Sequence, residues 1–587
     1  MPTVVKAYLG TTPLFTETGG GGGSSTAWVR PSDWLTLPSA QANSVKILHA
    51  VFDQAENYVV IRMQTSDNSA YIINWGDGNI TTALSLTNIT YNYSYSSSAL
   101  DGTLTSRGYK QAIITITPVG SATFTFCDLG QKVTSPAGMQ MYATGLLDVN
   151  INLPNLTAGQ RLLIGTTAVR HAYLERVYIT SWGLNNNTSS LFHSCTALQS
   201  LNETEWNMAN ITSTSSMFFS CSGIKVIDGS NWDTSKVTTF SDMFRDCQSV
   251  QQVKCANWVT STTTNITNMF FGCSALTNVD VSNWNTANCT SFSYVFGSCR
   301  SLPNVNVRNW NAAKVTTIGN MFDSCYALQE VDLSLWSLPL CTTATGAFAN
   351  CHSLRKLGPC SFASVTTLGT TFNNCRSLTS CAVTSLRATV DFTNCRLSNT
   401  ALSQVFTNLT GGAASRTITI TGNYGADTAI SKTTCGTTAG SKTVTQSNTS
   451  SLAVGMRVLG TGVNTAVAVT FQDAGDTVTR AGHGLANGTI VSFTSITSTT
   501  GIAAYIPYYV INATTDTFQL SATSGGAAIA LTTDGSGSML YPAYITAITT
   551  SVSFQISAPA SATGSVTLTA RILDTHPAIA KGWTVTG

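Results

Sequence analysis

The residues of this chain that could do chemistry are its cysteines, histidines and aspartates, and their spacing decides between ligation, catalysis and packing. Cys195, Cys221, Cys247, Cys273, Cys299, Cys325 and Cys351 recur every 26 residues, and Cys375 and Cys395 follow at shorter steps. A file of thiols could bind metal or form disulfides. Here each sulfur would sit equally far from two neighbours in a stack, and no paired Cys-x-x-Cys spacing with histidine accompanies them. Free cysteine is a small, readily buried hydrophobe, so the file predicts structural packing. His49, His171, His193, His352, His483 and His576 are scattered, and none lies in His-Glu-x-x-His or beside a nucleophile motif. His483, inside Gly-His-Gly, reads as a turn residue. Asp228, Asp280 and Asp332 share one repeat phase and could be drawn as the carboxylates of a glycosidase. A catalytic pair is needed once, whereas residues repeated at 26 or 52 positions serve turns or a solvated strip. The expectation is a chain without catalytic residues, cofactor or metal.

The elements that would position these residues are repeats. Three residues before each cysteine stands a phenylalanine: Phe192, Phe218, Phe244, Phe270, Phe296, Phe322, Phe348, Phe372 and Phe392. Eleven residues after the first six cysteines stand Trp206, Trp232, Trp258, Trp284, Trp310 and Trp336, with Phe362 in the seventh place. Aliphatic residues hold the places three and six after each of the first seven cysteines, as Val250 and Val253 do after Cys247. Leu174, Val177 and Trp182 extend the phase backwards, with His171 in the cysteine place, and a weaker unit surrounds Leu146 and Val149. Each unit is too short to bury its own apolar face, so stacking on its neighbours must complete the core. The Leu-x-x-Val segment reads as a short strand in a parallel sheet, and the segment Ser241 to Cys247 as a short helix or turn on the other side. The tryptophans read as a core ladder; the alternative is an exposed aromatic strip for stacking on sugars.

The pattern MFxxCxxLxxVxxxNW, complete from Met217 to Trp232 and from Met269 to Trp284, resembles the leucine-rich repeats of the BspA-like class, found in bacterial surface antigens and phage structural proteins. The resemblance covers about residues 140 to 425 and weakens after Trp336, where the units shorten and the Asn-Trp pair disappears. Residues 45–130 alternate apolar and polar as a small sandwich does, and the turn Trp75, Gly76, Asp77, Gly78 with the following Tyr-x-Tyr resembles PKD domains, immunoglobulin-like spacers. Asp77 reads as a turn residue bonded to nearby backbone rather than a calcium ligand. Two segments near the C-terminus, Ser441 to Val463 and Tyr544 to Thr569, resemble halves of one β module of phage virion proteins, and the stretch between them resembles a module of phage tail proteins.

The domain reading is therefore an N-terminal arm at 1–18 for virion attachment, a Gly-rich hinge and linker at 19–44, a PKD-like sandwich at 45–130 and a BspA-like solenoid at 135–425. Inserted β modules occupy 426–574 (outer 435–464 plus 543–572, inner 465–542), and 575–587 returns to cap the solenoid. The fold class is multidomain and mainly β, with a central α/β leucine-rich-repeat solenoid, an immunoglobulin-like sandwich before it and small β modules inserted near its C-terminal end.

Composition narrows the function. Only 10% of the 587 residues are charged, against roughly 25% in ordinary soluble proteins. With 29 basic and 27 acidic side chains, no phosphate-binding footprint is visible and nucleic acid is a poor partner. The start, MPTVVKAYLGTTPLF, shows no secretory pattern, and no apolar stretch suits membrane insertion. The expectation is a protein made in a host cytoplasm and released by lysis onto a virion surface. It reads as a bacteriophage fibre or spike-like protein that adheres to a host-surface glycan or protein and contacts other virion proteins through its arm, with homo-oligomerisation left open. The alternatives are a capsid or tail decoration protein, a bacterial surface adhesin and a glycan-cleaving enzyme.

Overall fold

The computed structural model describes residues 28–54, 57–134, 140–142, 145–156, 162–165, 171–182, 186–411, 416–423, 466–503, 508–523 and 525–540, together with short strand segments near both termini and around the last block. Most of the arm at 1–18, the glycine run at 19–23 and most of the return segment at 575–587 lie outside the described residues.

The aliphatic repeat phase becomes a parallel ladder. Val226–Asp228 pairs with Gln252–Lys254, which pairs with Asn278–Val279, so that Ile227, Val253 and Val279 stand in register. Glu330–Val331, Lys356–Ser361 and Ser380–Thr384 form the same arrangement further along. In each short strand the middle side chain is buried and its neighbours are not, as the period of two requires. A second file of parallel bridges joins Ser291, Thr317, Thr343 and Thr367. Next to it threonine hydroxyls add links between rungs: Thr238 donates to the Thr212 carbonyl at 3.0 Å and Thr264 to the Thr238 carbonyl at 3.2 Å.

The side expected to be a short helix or turn consists of turns. The residue before each repeat cysteine has a left-handed backbone, as at Ser220 (φ 57°), Asp246 (φ 59°), Asn350 (φ 59°) and Asn374 (φ 60°), and in the 26-residue units so does the residue four places earlier, as at Ser216, Asp242 and Asn268. Such residues interrupt a right-handed helix after one turn. The freed amides bond to the next rung instead: Phe218 N donates to Met243 O and Phe244 N to Met269 O, both at 2.9 Å. The architecture is mainly β, with a regular α-helix at Asn399–Asn408 near the end of the stack, N-capped by Ser398.

The sandwich and the solenoid share their sheets. One sheet runs in the order Ile80–Ala83, Tyr71–Asn74, Lys110–Pro118, Ser44–Val51, Leu146–Leu153, Arg176–Trp182, Ser200–Leu201. Leu146–Leu153 pairs antiparallel with Ser44–Val51 on one side and parallel with Arg176–Trp182 on the other, so the repeats begin where the sandwich edge would be. The opposite sheet, Ile89–Asn92, Tyr58–Thr65 and Phe124–Asp128, continues into Leu162–Leu163 in the same way. A single apolar core therefore runs from Val45 to Ile420. The two sandwich edges that face the repeats are thereby paired, while Ile80–Ala83 and Ile89–Asn92 remain the outer strands. Residues 28–43, within the segment expected to be hinge and linker, strap across this junction: Trp34 Nε1 donates to Tyr109 Oη at 2.9 Å, and Asp148 pairs with Arg30 at 3.1 Å and Arg176 at 3.0 Å.

At the other end Arg416–Thr419 pairs in parallel with Val390–Asp391 and with Trp583–Thr586. Between these last two partners lie two closed six-stranded barrels, one nested in the other along the chain. The inner one, from Val467 to Leu540, has its own core around Phe471, Val478, Phe493 and Phe518. Among the described residues no helix is long and apolar enough to cross a membrane.

Candidate binding surface

The residues singled out by periodicity lie inside. Consecutive phenylalanine rings stack nearly parallel, with centroids 5.3 Å apart for Phe192 and Phe218, 5.6 Å for Phe218 and Phe244, and 5.5 Å for Phe270 and Phe296. Trp206, Trp232, Trp258, Trp284 and Trp310 form a second file with centroid separations of 5.5 to 6.1 Å. The six tryptophans range from 1% exposed at Trp310 to 7% at Trp336, so none presents a face to a sugar. Their indole N–H groups are used within the stack: Trp258 donates to the Gly229 carbonyl at 2.9 Å, Trp310 to Val281 at 3.0 Å and Trp336 to Val307 at 2.8 Å. Each thiol does the same, Cys221 to Phe192, Cys273 to Phe244, Cys299 to Phe270 and Cys325 to Phe296, at 3.0 to 3.1 Å. Burial pushes these thiols far above their ordinary range, which keeps them protonated and unreactive.

The other candidates are turn residues. Asp77 accepts from the Asn79 backbone at 3.1 Å and from Tyr91 Oη at 2.6 Å. Trp75 stacks on Tyr91 at 4.4 Å, and Gly76 (φ 81°) lies where a Cβ would strike the Ile113 backbone at 2.5 Å. Gly78 closes the turn with φ 93°. Asp228, Asp280 and Asp332 each accept from the backbone two residues on, at Ser230, Ser282 and Ser334. The Ser282 hydroxyl and, after it, the Ser282 backbone N–H lower the carboxyl pKa of Asp280; at Asp228 the largest cause is Lys254, 2.6 Å away. A carboxylate so held is a poor general acid. His483 is buried, accepting at Nδ1 from Leu485 N at 3.0 Å. Among the described residues no three His, Cys, Asp or Glu side chains are grouped to hold a metal.

The outward chemistry lies at two positions that periodicity does not mark. Two residues before the cysteine, the buried His193 backs Phe219 at 4.5 Å, and the Arg245 guanidinium lies 5.3 Å from Phe219 and 5.1 Å from Phe271, a cation between two rings. Phe271 meets Tyr294 edge-on at 5.5 Å and leans over Gly297, where a Cβ would lie 2.9 Å from the ring. One residue after the cysteine, Arg300 lies over Tyr326 at 5.4 Å, and Tyr326 stacks on His352 at 4.6 Å and 6°. Tyr294 and Tyr326 are each more than a third exposed. These are rigid planar groups mounted on adjacent rungs. Stacked on one another along the file, they present a preorganised outer surface of ring edges and polar tips, but they offer no activated nucleophile.

A stack of short β rungs with aromatic ladders inside and variable side chains outside defines a leucine-rich-repeat type of solenoid. Residues 117–242 match the BspA type Leucine rich repeat region, in 6 copies, and residues 186–302 and 272–384 match the family described as Mycoplasma protein of unknown function, DUF285. The chain thus carries BspA-type leucine-rich repeats. The first match begins inside the sandwich, at a strand of the shared sheet. No curated protein matches the chain.

Proposed function

We propose that this chain is a surface adhesion protein of a bacteriophage particle, fibre- or spike-like, that holds the particle against its host cell. The observation that carries the reading is the pair of outer strips, Phe219–Arg245–Phe271 and Arg300–Tyr326–His352, mounted on a core whose indole and thiol groups donate from rung to rung. A stiff surface of this kind binds through many weak contacts, multiplied by the number of copies on a particle. The sandwich, with its resemblance to PKD domains, acts as the spacer, the N-terminal arm contacts other virion proteins, and the inserted barrels, with their resemblance to phage tail modules, offer further contact surface. The reading needs no catalytic residue, cofactor or metal, and no nucleic-acid or membrane partner.

The BspA-type match favours one second reading, a bacterial surface adhesin, through the same strips. Electron microscopy with a gold-labelled antibody to the solenoid separates the two. Label on free virions supports the phage reading, and label on the bacterial envelope with bare virions overturns it.

A further inference from the structure

The last steps of the repeat break the even spacing of the thiol file. Cys375 follows Cys351 by 24 residues and Cys395 follows Cys375 by 20, against 26 in the units before. The place eleven after the cysteine, held by tryptophan in the long units and by Phe362 in the seventh, holds Leu386 here. With fewer residues and a smaller side chain between them, the two rungs close up. Phe372 and Phe392, three residues before these cysteines, have ring centroids 4.8 Å apart. The other neighbours in the phenylalanine file stand 5.3 to 6.0 Å apart.

The sulfurs follow the rings. Each still reaches back to a carbonyl, Cys375 to Phe348 at 3.0 Å and Cys395 to Phe372 at 3.2 Å. Cys375 and Cys395 also share a hydrogen bond from thiol to thiol, which no other neighbouring pair of the file does. A disulfide needs Cα atoms about 4.4–6.8 Å apart and Cβ atoms about 3.5–4.5 Å apart. Rungs about 4.8 Å apart meet the first condition along the whole file, so the second decides. It is met where a pair is drawn together, and the thiol contact marks Cys375 and Cys395 as that pair. The shared bond raises the Cys395 thiol; it lowers the Cys375 thiol, but burial and the neighbouring thiols leave that one raised as well. Both stay protonated, and the pair is held as thiols until an oxidant acts. Cys395 lines an open pocket of about 310 Å³ with Arg376, Asn394, Arg396 and Gly422, so a small reagent has a short path to its sulfur.

A link here would carry load. Asn394 N donates to Thr421 O at 2.8 Å, and Arg416–Thr419 pairs with Val390–Asp391 on one side and with Trp583–Thr586 on the other. Both ends of the inserted barrels therefore hang from the rung that ends in Cys395. That rung is held to the one before it by hydrogen bonds such as Asn374 N to Thr393 O, 2.8 Å, and by packing.

We propose that Cys375 and Cys395 are an oxidisable pair that closes into a disulfide and staples the last two rungs of the thiol file beneath the inserted barrels. In the closing step two S–H bonds break and one S–S bond forms. The two electrons reduce a small disulfide to two thiols, which take up the two protons. Closure does not depend on what the outer surface binds, so it stands or falls apart from the adhesion reading. The test incubates the folded, reduced full chain with hydroxyethyl disulfide at pH 8, alkylates the remaining thiols in denaturant and digests with trypsin without reduction. The expected product joins tryptic peptides 357–376 and 388–396, with fragmentation placing the bond at Cys375 rather than Cys360, while Cys221, Cys247, Cys273 and Cys299 are recovered alkylated. The link should raise the thermal midpoint by a few degrees, reversibly on reduction, and Cys375→Ser should abolish both the joined peptide and the rise. The map of the unmutated chain decides by itself even where the variant fails to fold. Recovery of Cys375 and Cys395 as alkylated thiols, linkage no more frequent here than between Cys273 and Cys299, or linkage only in denaturant overturns the pair. A link that leaves the midpoint unmoved overturns its role as a staple.

Discussion

The thiol of Cys247 reaches back one rung and donates to the carbonyl of Phe218 at 2.9 Å. From Cys221 onward each repeat cysteine thus gives a second bond to a buried carbonyl that already accepts from a backbone N–H, as Phe218 O does from Cys221 N at 2.9 Å, and a small hydrophobe without a donor loses that bond. Cys247→Ala should lower stability by about 1–3 kcal/mol, read as a shift in the urea midpoint at unchanged slope. Thiol mapping by mass spectrometry at pH 8 should find Cys221, Cys273 and Cys299 unlabelled in the native protein and fully labelled in denaturant, because burial holds all three protonated.

Core and strip should separate cleanly by mutation. Trp284 is 2% exposed and donates to the Cys255 carbonyl at 3.2 Å, so Trp284→Phe should cost about 1–2 kcal/mol and leave envelope binding as it was. Phe219→Ala, on the outer strip, should reverse the pattern, with binding reduced several-fold and stability changed by less than about 1 kcal/mol. Equal effects of the two substitutions on binding would place recognition elsewhere.

The Asp148 carboxylate is wholly buried between Arg30 and Arg176, which are 28% and 23% exposed. It ties the strap, the sandwich and the first full repeat together. Asp148→Ala leaves two half-buried cations facing each other and should cost about 2–4 kcal/mol, less than a fully buried pair because water still reaches both guanidinium groups. Limited proteolysis should then cut first within residues 28–43.

His49 gives the same junction a pH dependence. It is fully buried against Tyr93, ring centroids 5.1 Å apart, and burial, partly offset by the Tyr58 backbone, pushes its pKa from 6.5 down to about 3. The unfolded chain binds the proton more tightly than the folded one, so this contribution is complete above pH 6.5 and is lost as pH falls towards 3. Between pH 7.5 and pH 5 the loss should be about 2 kcal/mol. His49→Phe should flatten the stability profile over that range, and an unchanged slope would show that another group sets it.

The ladders were legible because a buried position must hold the same residue type on every rung, which is how Phe218, Cys221 and Trp232 announce themselves. The strips were not, for the opposite reason: His193, Phe219, Arg245 and Phe271 share a phase but not a type, and so do Arg300, Tyr326, His352 and Arg376. A search for repeated identity passes over positions whose residue type changes from rung to rung. The turn side was only half legible. Apolar spacing around Met243 and Phe244 suits a helix as well as a turn, and the discriminating signal was the run of Ser, Asp, Asn and Gly at the left-handed places. The shared sheet was hidden because Ser44–Val51 and Leu146–Leu153 are buried on both faces and so lack the alternation that marks an ordinary sandwich strand.

The most direct measurement incubates the purified full chain with envelopes isolated from a panel of bacteria and assays both fractions after washing. Retention of the protein on at least one envelope, with no soluble sugar released over hours, is the predicted result. Steady release of oligosaccharide, or a protein that washes off every envelope, would contradict a scaffold whose work is to hold on.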